Sequence, residues 1–300
     1  MSFEPMLFGT EEEIAEAQPA RRVWRTAWLE VIALFLIALV LYTLTDILGV
    51  LSNQPAATSA RTGIAVLPVL SWLLITYRAE RHTRQPRPHL VAVLLLGALV
   101  ASGVAVPLEE ELFQPERWLP GLDFFGRLLG YAATVGFTAE FLKYLVLRYS
   151  IWPRHISQRL DGVAYGLAVS VGFATVLSLR YALFTEATLA ATALRTVSIT
   201  LPHLASGVIV GFFLAELWIG RTAILWLSAG LVLAALISGA HYAFRAIAIV
   251  GSPGVASTGS SPLLGLLLAT GFAAAIFALF AFIIASADAR AALALSRHLP

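Results

Sequence analysis

Eight long apolar runs, at residues 24–50, 62–77, 89–106, 124–149, 161–184, 194–218, 221–249 and 262–287, decide what this chain can fold into. A helix rises ~1.5 Å per residue, so about 20 mostly apolar residues cross the ~30 Å hydrocarbon layer of a bilayer. The second and third runs are the shortest. Lipid offers no hydrogen bonds, so a continuous apolar run satisfies its own backbone N–H and C=O groups only by coiling into a helix. The period-two alternation of barrel strands is missing. The sequence therefore predicts an all-α polytopic transmembrane bundle of about eight spans. A composition of 59% hydrophobic and 13% charged residues argues against a soluble enzyme or a nucleic-acid-binding protein.

Charge gives the bundle a direction. Nineteen of the twenty basic residues are arginine, and they gather in alternate connections. Arg21, Arg22 and Arg25 precede the first span; Arg78, Arg81, Arg84 and Arg87 separate the second from the third; Arg148, Arg154 and Arg159 follow the fourth; Arg221 follows the sixth; Arg290 and Arg297 close the chain. The other connections hold little more than Arg61, Arg117 and Arg195, beside the acidic run Glu109, Glu110 and Glu111. Arginine marks the cytoplasmic side, so an even number of spans places both termini there. The expected location is a prokaryotic plasma (inner) membrane, with lipid around the bundle and no nucleic acid as partner.

The chain has no cysteine, which excludes a disulfide, a thiolate metal site and a cysteine nucleophile. Its acidic start (Glu11, Glu12, Glu13, Glu16) and long first run are unlike a cleavable signal and read as a short tail suited to a partner. We divide the chain into an N-terminal tail (1–22), three peripheral helices with an acidic outer loop (23–120), a four-helix membrane core (121–250), and an outer loop, last span and short tail (251–300). The core is marked by small residues at four-residue spacing: Gly126, Gly130 and Thr134; Gly162, Gly166 and Ser170; Gly207 and Gly211. Such rows let helix backbones approach closely where lipid removes the hydrophobic drive for association. The connection at 250–262 reads as a flexible outer loop.

Ionisable residues within spans are expensive, at ~2.5–3.5 kcal/mol each near the bilayer centre on insertion scales, so each one calls for a reason. Glu140 and Lys143 share a face of the fourth span and can neutralise each other. Arg180 lies near the outer end of the fifth, His203 in the sixth behind Pro202, and His241 and Arg245 in the seventh. Pro202 removes a backbone donor and predicts a bend beside His203.

The segments A-E-F-L-K (139–143), D-G-V-A-Y-G-L-A-V-S-V-G-F-A (161–174), the histidine before a Gly-rich stretch (203–211) and H-Y-A-F-R (241–245) together resemble the PrsW family of intramembrane proteases, which is grouped with the CAAX prenyl proteases. The resemblance covers roughly 121–250. It implies peptide hydrolysis by a carboxylate that activates water, with histidines and an amide stabilising the oxyanion. Carried over residue by residue, Glu140, His203 and His241 are candidate catalytic groups. Arg245 stands where the family's last motif has an asparagine, and is a candidate oxyanion donor. Lys143, Asp161 and Arg180 are expected to be structural. Two acids of the family pattern are missing: Ala139 replaces the first glutamate of E-E-x-x-K, and Leu177 and Ser178 replace the glutamate and asparagine after G-F-A. Loss of a general base alone removes about 10²–10⁴-fold in rate.

No cofactor is expected. Glu140, His203 and His241 match a catalytic zinc ligand set in kind, but the predicted topology puts both histidines in the outer half and Glu140 near the middle. Three functions compete: a non-catalytic, partner-binding subunit, an active peptidase cleaving membrane proteins, and a transporter. The first is expected, because both acids are missing. The third is disfavoured, because no inverted repeat is evident.

Overall fold

In the computed structural model, residues 19–51, 54–79, 87–220, 222–248 and 262–296 are described. The acidic N-terminal tail, Arg81, Arg84, Arg221, the 250–261 connection and Arg297 lie outside them, as do the side chains of Arg245 and Arg290. The described residues form helices and no strand. We number them α1 (Pro19–Tyr42), α2 (Thr58–Ala79), α3 (Arg87–Val100), α4 (Phe124–Tyr131), α5 (Phe137–Ser150), α6 (Arg159–Phe184), α7 (Leu189–Ile219), α8 (Ile224–Ala248) and α9 (Pro262–Ser296). A π-helical turn, Ala132–Gly136, joins α4 to α5 without a break.

Local chemistry fixes the helix starts. Asp161 accepts from the backbone N–H of Ser157 at 2.8 Å, its hydroxyl at 2.7 Å and the N–H of Gln158 at 3.0 Å, completing a capping box at α6. Thr188 and Asp123 cap α7 and α4 by accepting from Ala191 N–H at 3.1 Å and Gly126 N–H at 2.8 Å.

Among the described residues seven helices are long and apolar enough to cross a membrane, where about eight were expected. The exception is 124–150, where Glu140 and Lys143 reduce the apolar character of an otherwise unbroken helix. It still runs between the same two ends of the bundle as its neighbours. At one end, Arg61 donates to the Thr185 carbonyl at 2.7 Å, Ala56 N–H to the Ala187 carbonyl at 3.0 Å, and Arg180 pairs with Glu110. At the other, Arg159 pairs with Glu216 at 2.5 Å and the rings of His89 and His155 lie 4.3 Å apart. Among the described residues, Arg61, Thr185 and Glu110 thus lie at one end and His89, Arg159 and Glu216 at the other.

Burial identifies the centre. The best apolar window is entirely buried in α7 and 83% buried in α6, against 28% in α1, α2 and α9 and 39% in α8. The α6–α7 pair is the most buried of these helices. A Cβ added at Gly166 would collide with the Gly207 carbonyl oxygen, and one at Gly211 with that of Gly162. The small-residue rows bring the two backbones into contact, as such rows do in lipid.

Candidate functional site

The charged site assembles where α5, α7 and α8 meet. Two glycines permit the approach: a Cβ at Gly136 would strike the Ala235 carbonyl oxygen, and one at Gly239 the backbone of Ala132. The π turn also inserts one residue before α5, which rotates the following face by about 100° relative to an unbroken α-helix. Glu140 and Lys143 consequently point inward, and both are fully buried.

Each polar group has an identified contact. Lys143 Nζ lies 2.8 Å from Glu140 Oε2 and donates to Ser206 Oγ at 2.8 Å. It stands 3.5 Å from both His203 Nδ1 and the His203 carbonyl oxygen. On the other side, Ser238 donates to Glu140 Oε1 at 2.7 Å. Ser238 and His241, three apart on α8, line a crevice with His203, Ile199, Pro202 and Tyr242. Phe173 of α6 closes the base, its ring centroid 5.3 Å from that of His203.

His203 is residue 15 of the 31 in α7, which begins five residues before the predicted span, and the length of Lys143 bridges Glu140 to it. Arg180 stands apart from the site, as a partly exposed partner of Glu110 at the bundle's end with Phe184 beside it. Asp161 serves its cap at the opposite end. Arg245 belongs to the α8 backbone, its side chain outside the described residues. The sixth span continues through Pro202 as one helix.

Sequence reasoning missed Ser206 and Ser238, each three positions from a histidine already identified. It also missed Glu30 of α1, which is 2% exposed and whose Oε1 has no hydrogen-bond partner among the described residues.

A buried carboxylate, ammonium and imidazole, with a second, half-buried imidazole beside them, thus lie where three helices of an apolar helical bundle meet. Comparison with known sequences gives the family. Residues 85–285 match the model of a family described as PrsW family intramembrane metalloprotease, and the chain belongs to that family. Curated relatives include the protein named Protease PrsW from Bacillus subtilis (strain 168), 28% identical over 59% of this chain and 78% of that one. Its namesake from Clostridioides difficile (strain 630) is 29% identical over 41% of this chain and 50% of that one. A third Protease PrsW, from Halalkalibacterium halodurans, is 29% identical over 51% and 67% respectively. No solved structure matches significantly. The family and the membrane-capable helices make this an integral membrane protein of a bacterial type.

The family description implies a metal, and the residues present do not fit one. No group of three His, Cys, Asp or Glu among the described residues is arranged to hold an ion. Both oxygens of Glu140 already face donors, and Nδ1 of His203 faces the Lys143 ammonium.

Proposed function

We propose that this chain is a PrsW-family protein that does not hydrolyse peptides and works as a membrane-embedded, partner-binding subunit. The state of Glu140 carries the reading. A carboxylate that activates water needs an oxygen turned toward a water and space for that water. Here Oε2 holds Lys143, Oε1 holds Ser238, and the side chain is fully buried. The absence of acids at Ala139 and Leu177 points the same way. The partner is another membrane protein, and the arginine asymmetry supports both termini lying in the cytoplasm of a prokaryotic plasma membrane.

The second reading is an active PrsW-type peptidase, favoured by the convergence of Glu140 and His203 and by relatives named Protease PrsW. One experiment separates them. Purified protein is incubated with single-pass membrane substrates beside Glu140→Gln and His203→Ala. The first reading expects no cleavage by any of the three. Cleavage by the parent that vanishes in folded variants would establish the second.

A further inference from the structure

We infer that Lys143 is the resident cation of this site: its ammonium holds the position a metal ion would take, and the site is built to exclude divalent metal. The inference goes beyond the proposed function and stands whether or not peptides are cleaved.

The contacts of Nζ are those of a small cation's shell. A carboxylate oxygen (Glu140, 2.8 Å), a hydroxyl (Ser206, 2.8 Å), an imidazole nitrogen (His203 Nδ1, 3.5 Å) and a carbonyl oxygen (His203, 3.5 Å) converge on it. These are donor classes that zinc, magnesium or calcium would recruit. The face of Phe173, 5.9 Å away, completes the enclosure, and the ammonium is wholly buried. The distances are those of hydrogen bonds to an ammonium, longer than the ~2.0–2.3 Å of metal–ligand bonds, so the shell is sized for lysine.

Charge balance makes the choice exclusive. Glu140 and Lys143 cancel, leaving the buried pair neutral. A divalent ion added beside the ammonium would bring two uncompensated charges into a low-dielectric interior, against repulsion that weak screening leaves strong. The ammonium also stands against Nδ1 of His203, a residue that lines the crevice.

The test uses the full chain, purified in detergent on a tag without histidines from metal-replete cells. Metal content is read by elemental analysis, and melting temperature is read with chelator and with added zinc. The expected result is far below one ion per chain, with no shift on chelation or zinc addition. About one retained ion per chain whose removal lowers the melting temperature would overturn the inference. Lys143→Ala vacates the shell and is expected to gain a zinc-dependent rise in melting temperature that Lys143→Met, filling the space without charge, does not show. Folded Lys143→Ala that zinc leaves unmoved would also overturn it. If that variant does not accumulate, the parent's metal content decides.

Discussion

Ser238 carries the smallest change with a sharp consequence. Its hydroxyl is one of two donors on a buried carboxylate, and hydrogen bonds to charged groups contribute about 1.5–3 kcal/mol. Ser238→Ala should therefore lower stability by roughly that amount, read as unfolding in detergent, whereas Ser286→Ala, whose hydroxyl bonds the Ile283 carbonyl on its own helix, should change little. Equal losses would show that the Glu140 contact is not special. Glu140, Lys143, His203 and His241 were legible in the sequence because ionisable groups stand out against apolar runs. Ser206 and Ser238 were not. Serine in membrane helices usually bonds its own backbone one turn back, as Ser150 and Ser198 do here, so nothing in sequence separates a network serine from an ordinary one. Glu30 stood in plain view within the first run and still went unread.

At the level of elements, close approach sets the core. Gly166 and Gly207 lie at the α6–α7 contact with no space for a side chain, so Leu at either should cost at least the ~1–3 kcal/mol typical of overpacking. Leu at exposed Ala278 of α9 serves as the control and should leave the melting temperature near the parent's. Three equal melting curves would remove the claim. The small-residue rows made this contact readable, because a four-residue spacing maps onto one helix face. The limited burial of α8 was not readable: Ala235 and Gly239 pack against the π turn while Leu225, Val232 and Leu236 face outward, and apolar residues look alike on either face in lipid. Nor was the π turn, since no residue type demands one.

For the molecule as a whole, apolar run length predicted an all-helical bundle and arginine spacing predicted which connections share an end. The contacts of Arg61 with Thr185 and of Arg159 with Glu216 agree with that grouping. The absence of cysteine makes the orientation simple to examine. Single cysteines at Gln54 and Arg154 should label from opposite sides of the membrane, Arg154 from the cytoplasm. Labelling of both from one side would break the topology. The packed site was harder to foresee because helix length and tilt, which set depth, are not encoded at predicted run boundaries. α7, for one, begins five residues before the predicted run.

The account turns on Glu140 being held as a counter-ion and not poised as a base, and a double-mutant cycle measures that directly. Unfolding free energies in detergent are compared for the parent, Glu140→Gln, Lys143→Met and the double variant. Breaking a buried pair from one side leaves an uncompensated charge and should cost about 3–5 kcal/mol in each single variant, with the double variant recovering most of the loss. A Glu140→Gln protein as stable as the parent, with additive losses around the cycle, would contradict the structural role.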